Sequence, residues 1–348
     1  MRLLQPVLIV LTLTLAQSNV VRSTFASATG TAERPAASIA WIANGKTEFA
    51  HFGHKTLPDG AAPSNDTIYE IGSITKTFTG TLLADMILNK EVTLETTIGD
   101  LLPAAKDYPP ELRRITVGKI ATHSSGLPRL PTNLFATVKD QMNPYATYTP
   151  EHLDAFLRTF TPPADPKPEY SNLGFGLLGY ALATKAGKSY EQLITERVLT
   201  PLGMRDTVIT FTAAHRSKLA PGHAGGKPVA NWDIPTLAGA GALRSTAADM
   251  AKYMVAVLDP PDTRIGRAIR MAREPRAELA EGRRIGLAWI TIKSDQGEDL
   301  TWHNGGTGGY RSFIGLIPDA KAGIVVLTNA SSSPDPLALT ALNALGAR

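Results

Sequence analysis

The sequence predicts a mixed α/β fold of the α+β kind: an antiparallel sheet flanked by helices and interrupted by a large, mostly helical insertion. Three observations carry this. Strand-like apolar segments with turn residues between them lie near the two ends, at 39–52 and after residue 284. Between them, apolar residues recur at three- and four-residue spacing, punctuated by proline and glycine. One last helical pattern, Leu337 to Leu345, closes the chain. The first strands therefore pair with the last ones. Residues 29–72 and 285–348 are expected to form a discontinuous sheet domain. Residues 73–284 form a mostly helical domain, with the active site at the junction. A chain of 348 residues, 43% hydrophobic, can bury a core of that size.

Residues 1–28 read as a signal peptide. Arg2 is positive, Val7 to Ala16 is apolar, and Ala26-Ser27-Ala28 is a small-x-small cleavage candidate, with Ala16 an earlier option. The apolar run is too short to span a bilayer. The expectation is a secreted, periplasmic monomer without a stable membrane anchor. The chain has no cysteine, which excludes disulfides, thiol catalysis and a lipid-modified N-terminal cysteine. Its net charge is +4, to which Arg2 and Arg22 contribute with no acid before residue 29, and no basic run stands out. Nucleic acid is not an expected partner.

Ile39 to Ala43 and Thr47 to Phe52 are strands joined by Asn44-Gly45, a strong hairpin signal. A helix starts at or near Ser73 and ends near Asn89, because Ile74, Phe78, Leu82, Leu83, Met86 and Ile87 recur at helical spacing. Short helical pieces follow at 98–102 and 115–122. Residues 123–128 form a turn in which His123 is expected to hydrogen-bond the loop. Helices are further expected at 151–160, from Leu173, at 190–199 and at 247–258, the last with Thr246 and Asp249 spaced as a capping box. Later strands are 285–292, 300–304, 312–317 and 324–328.

Two motifs fail their context. Gly174–Gly179 matches the dinucleotide glycine pattern, but prolines occupy the place of the preceding strand. Gly187-Lys188-Ser189 lacks the first glycine of a phosphate loop. There is no zinc HExxH and no GxSxG nucleophile elbow, and the seven histidines are scattered. No metal or organic cofactor is expected.

Three elements survive. Ser73 and Lys76 are the one Ser-x-x-Lys, three residues apart and so stacked on one helix face. Tyr170-Ser171-Asn172 is the one Tyr-x-Asn. His303-Asn304-Gly305-Gly306 ends a strand beside a glycine-rich turn. A serine hydroxyl needs a base to become a nucleophile, and Lys76 and Tyr170 are both candidates.

In this order and spacing, the three motifs resemble those of the serine β-lactamase and penicillin-binding protein superfamily. The pattern is most similar to class C β-lactamases, D-Ala-D-Ala carboxypeptidases, D-aminopeptidases and related esterases. The resemblance runs from about Ile39 to Asn329 and includes 115–128, 201–207 and 239–254. It implies the β-lactamase/transpeptidase-like fold and an acyl-enzyme on Ser73. Tyr170 would then be the base in acylation and the acid towards the leaving group, with Lys76 tuning it. The residues by themselves leave the division of roles open. Asn172 would hold the substrate amide or Lys76. The implied oxyanion hole is the backbone N–H of Ser73 and of Gly306. Glycines at 305 and 306 would let a substrate lie flat on the strand edge. His303 and Asn304 stand where class C β-lactamases have the Lys-Thr of Lys-Thr-Gly, whose lysine helps hold a β-lactam carboxylate. A histidine there is partly charged at pH 7 and can donate a hydrogen bond. The implied substrates are cell-wall D-peptides or β-lactams. A carboxylesterase of the same fold is the alternative enzyme, and a non-turnover penicillin-binding sensor is the alternative from another class.

Overall fold

The computed structural model describes residues 5–43 and 45–347. Asn44 of the expected hairpin turn and Arg2 of the expected leader lie outside the described residues, as do the side chains of residues 5–15. Eight antiparallel strands form the main sheet: β1 (Ala36–Ala43), β2 (Lys46–Gly53), β3 (Ala277–Ala280), β4 (Arg283–Ile285), β5 (Ile290–Lys293), β6 (Asp299–Gly306), β7 (Arg311–Ile317) and β8 (Ala322–Thr328). Their order is β2-β1-β8-β7-β6-β5-β4-β3. The first strand thus pairs with the last, Ala37 opposite Thr328, as the segment pattern implies.

β1 and β8 are buried along their whole length because the sheet is covered on both faces. Alternate residues serve two cores. Ile39, Trp41, Ile324 and Val326 face a core closed by α1 (Gln5–Ala26) and the C-terminal helix α6 (Asp335–Gly346). Ala40, Ile42, Val325 and Leu327 face the larger core shared with the helical segment. The second half of α1 is an integral part of the first core. Val21 and Phe25 are fully buried. Gln17 donates to the carbonyls of Leu345 and Ala347, and Trp41 Nε1 donates to Ser18 Oγ at 3.3 Å.

The helical segment surrounds α2 (Thr75–Leu88), which is buried on every side from Thr75 to Met86. Its polar residues are satisfied internally: Thr77 donates to the Ile74 carbonyl, and Thr79 to Gly239 O at 2.7 Å. The helices α3 (Asn172–Ala186), α4 (Ala247–Leu258) and α5 (Arg264–Arg273) pack around it.

Three local expectations change. The single strand 285–292 is two strands, β4 and β5, parted by a reversal in which Gly286 N–H donates to Trp289 O and Ala288 takes a positive φ. The apolar run misleads because Leu287, Ala288 and Trp289 leave the sheet and fill the helical core. Consequently β3 and most of β4 come from before residue 285, inside the stretch expected to be helical. Finally, Thr246 accepts from Asp249 N, but the Asp249 carboxylate binds Asp206 N, Thr207 Oγ1 and Lys252 rather than returning to the cap.

Candidate active site

Ser73 lies in a single 3-10 turn, Gly72–Ile74, immediately before α2. Gly72 has φ +48°, a conformation that glycine adopts without strain. The turn is pressed onto β6. A Cβ on Gly72 would lie 2.5 Å from Gly306 N, and one on Gly305 would lie 2.0 Å from Ile71 O. Ser312 Oγ from β7 donates to the same Ile71 carbonyl at 2.8 Å. This corrects the role expected of Gly305: its missing side chain makes room for the turn that carries Ser73, not for substrate. β6 pairs with β5 only as far as Trp302, so residues 303–306 keep one free edge. Ser73 and Gly306 line a common cleft with Asn172, Tyr145, Trp232, Ile234 and Leu237.

Tyr170 and Asn172 reach this cleft because their segment is zipped to the 123–129 loop. Glu169 N–H donates to His123 O, Asn172 and Leu173 N–H donate to Arg129 O, and Ser171 Oγ donates to Pro128 O. Ser171 also caps α3 by accepting from Gly174 N. His123 is the buried pivot, at positive φ, its Nδ1 accepting the Ser171 N–H at 3.1 Å. Its ring packs at a tilt against Tyr170 with centroids 4.6 Å apart. The loop role expected of His123 is the one it fills.

Lys76 is fully buried. Its Nζ is 3.0 Å from Ser73 Oγ, 2.9 Å from Asn172 Oδ1 and 2.7 Å from Ala240 O. No carboxylate pairs with it among the described residues. Burial, and then the positive Arg129, hold its amine well below the ordinary lysine range. Tyr170 hydrogen-bonds Ser73, and burial pushes its phenol up to about 12. Lys76 Nζ lies 4.9 Å from the centre of its ring.

His303 is 1% exposed, and burial, with the positive Lys76 nearby, pushes it down to about 3. It is neutral at pH 7, not partly charged. Its Nδ1 sits 2.6 Å from Asn304 O, a carbonyl, so Nδ1 carries the proton and donates it. The remaining Nε2 can only accept a hydrogen bond, which reverses the expected donor role. Asn304 does not face the cleft: its amide donates to Asp335 Oδ2 in the first turn of α6 at 2.5 Å. Ser73, Lys76, Tyr170, Asn172, His303 and Gly306 are brought together, while Asn304 turns away.

Sequence reasoning missed the cleft walls. Tyr145 and Trp232, from segments far apart in the chain, meet in a tilted ring contact with centroids 5.3 Å apart. The Trp232 loop is held by Glu70, which accepts from Trp232 N and Asn231 Nδ2 and pairs with Arg244. Glu70 lies three residues before Ser73, and that is the one local hint of its role.

Comparison with known proteins agrees with this geometry. A model of the family described as Beta-lactamase matches residues 21–348. The chain is 26% identical to a protein named Beta-lactamase from Yersinia enterocolitica, over 88% of this chain and 85% of that one. It is 29% identical to the D-alanyl-D-alanine-carboxypeptidase/endopeptidase AmpH of Escherichia coli (strain K12), over 81% and 76%. It is 27% identical to Penicillin-binding protein 4 of Amycolatopsis lactamdurans, over 85% and 81%. A match over nearly the whole chain, on a mixed fold with a large antiparallel sheet, means that this protein belongs to the Beta-lactamase family, within the serine β-lactamase and penicillin-binding protein superfamily, and is a serine hydrolase.

Proposed function

We propose that this protein is an exported hydrolase that forms an acyl-enzyme on Ser73 and cleaves amide bonds of D-amino-acid peptides or β-lactams. The observation that carries the reading is the buried Lys76 amine with no acid partner, 3.0 Å from Ser73 Oγ. A neutral amine has two N–H groups, and Asn172 Oδ1 and Ala240 O take them. Its lone pair then faces the serine hydroxyl. Ser73 gives its proton to Lys76 as Oγ attacks the carbonyl carbon, and the backbone N–H groups of Ser73 and Gly306 hold the oxyanion. Tyr170, protonated at neutral pH, gives its proton to the leaving nitrogen and regains one from Lys76. Water then attacks the ester, with the proton transfers reversed. This gives the base role to Lys76 and the acid role to Tyr170. Relatives named as β-lactamase, carboxypeptidase/endopeptidase and penicillin-binding protein support both substrate classes.

No helix among the described residues is long and apolar enough to cross a membrane. Export by a cleaved leader fits the earlier option after Ala16, because a cut at 26–28 would remove Val21 and Phe25 from their core.

Intact-mass and peptide mass spectrometry after penicillin treatment tests both statements. The expected result is one adduct on Ser73, absent in Ser73→Ala, on a chain starting near Gln17. An adduct elsewhere, or hydrolysis unchanged in Ser73→Ala, sinks the acyl-enzyme reading. A chain starting at Thr29 sinks the processing site. An adduct on Ser73 that never hydrolyses would make the protein a sensor.

The second reading is a carboxylesterase of the same fold. The apolar walls of Tyr145, Trp232, Ile234 and Leu237, with a neutral His303, favour an acyl group that needs no carboxylate clamp at that strand. The ranking of kcat/KM on p-nitrophenyl butyrate, nitrocefin and a D-Ala-D-Ala peptide separates the two.

A further inference from the structure

We propose that Arg129 anchors the carboxylate of the substrate, the part that position 303 does not play here; this rests on the peptide and β-lactam reading above. A peptide ending in a D-amino acid carries a carboxylate on its leaving residue, close to the scissile nitrogen, and a β-lactam carries one beside its ring nitrogen. Such a group needs a cation at the cleft.

The other cations near Ser73 are buried or turned back onto the protein. Lys76 is buried and spends its N–H groups on Asn172 and Ala240. Arg311 is half-buried and turns Nη1 back onto the carbonyls of Thr307 and Tyr310, at 2.6 and 2.9 Å. Arg244 is buried in its pairing with Glu70 and Asp233. His303 is a buried acceptor and would repel a carboxylate oxygen rather than hold it.

Arg129 differs on each count. Its side chain is exposed and makes no ion pair among the described residues. Its guanidinium carbon lies 5.3 Å from the centre of the Tyr170 ring, so a cation–π contact holds it beside that phenol. The backbone beneath it is fixed, because Arg129 O accepts from both Asn172 N and Leu173 N, at 3.0 and 3.1 Å. The charge is therefore presented from a rigid base, next to the proposed acid. Its field reaches the reacting groups, since it helps to lower the Lys76 amine and to favour the Tyr170 phenolate. A planar guanidinium can also grip a carboxylate through two parallel hydrogen bonds, which a lysine cannot do.

The test is the ratio of kcat/KM for an N-acyl-D-Ala-D-Ala peptide to that for its C-terminal amide, in wild type, Arg129→Ala and Arg129→Lys. Wild type should favour the acid. Arg129→Ala should lower the acid-to-amide ratio by about tenfold to a hundredfold, the effect of one charge-assisted hydrogen bond, and Arg129→Lys should restore part of it. A ratio unchanged in Arg129→Ala, equal use of acid and amide by wild type, or turnover of neither peptide overturns the proposal. If Ser73→Ala still hydrolyses both peptides, the acyl-enzyme reading falls, and the ratio still reports on Arg129.

Discussion

Helix α2 carries two fully buried ionisable residues, Lys76 in its first turn and Asp85 in its last. Asp85 sits among arginines: Arg264 Nε at 2.8 Å and Arg197 at 3.1 Å, with Glu91 completing the network. Lys76 meets only a hydroxyl, an amide and a carbonyl. Burial disfavours either charge, but only the aspartate has counter-charges to offset it. The same helix thus holds one charge used for structure and one left unpaired. An unpaired buried amine is displaced towards its neutral form, the form that can accept a proton.

The sharpest way to break this contrast is Lys76→Met. Acylation of Ser73 by penicillin should fall by about two decades or more, the usual range for a lost general base, while thermal stability holds or rises. Stopped-flow acylation and a melting curve measure the two. A variant that acylates at the wild-type rate would remove Lys76 from the mechanism.

The opposite member is probed by Arg197→Ala, which should act on stability and spare acylation. Abandoning a buried charge completely costs about 3–5 kcal/mol; because Arg264 remains, about 2 kcal/mol is expected. Urea unfolding measures it, and an unchanged midpoint would mean that the network contributes nothing.

The smallest effect is a slope. Between the depressed value of Lys76 in the folded protein and its ordinary 10.5, the unfolded chain holds a proton that the folded chain lacks. Stability should therefore rise with pH across that window, by at most about 1.4 kcal/mol per unit, and the Lys76→Met variant should lose this component. Identical slopes in the two proteins would show that the amine is not perturbed.

Much of the framework is legible in the sequence because it obeys local periodicity. The helix beginning after Ser73, the strands at both ends and the three motifs all announce themselves within a few residues. Legibility stops where long-range contacts decide. The 285–292 segment has the apolar content of one strand, yet Leu287 to Trp289 are apolar because the helical core takes them. α5 is obscured by its arginines, although Ile265, Ala268, Ile269 and Ala272 form a buried stripe. The state of His303 depends on how deeply it is buried and on one carbonyl beside it. Arg129 and Trp232 carry no motif, and only their places in the fold, over the Tyr170 ring and in the Ser73 cleft, single them out.

The pairing of β1 with β8 has a consequence for synthesis. A chain leaving the ribosome presents Ala37 long before Thr328 exists to receive it. The sheet cannot close, nor can Gly305 seat the Ser73 turn, until β6, β7 and β8 have all been made. Assembly of the Ser73 cleft thus waits for those three strands, and a polypeptide released before β8 would lack a closed sheet to hold it.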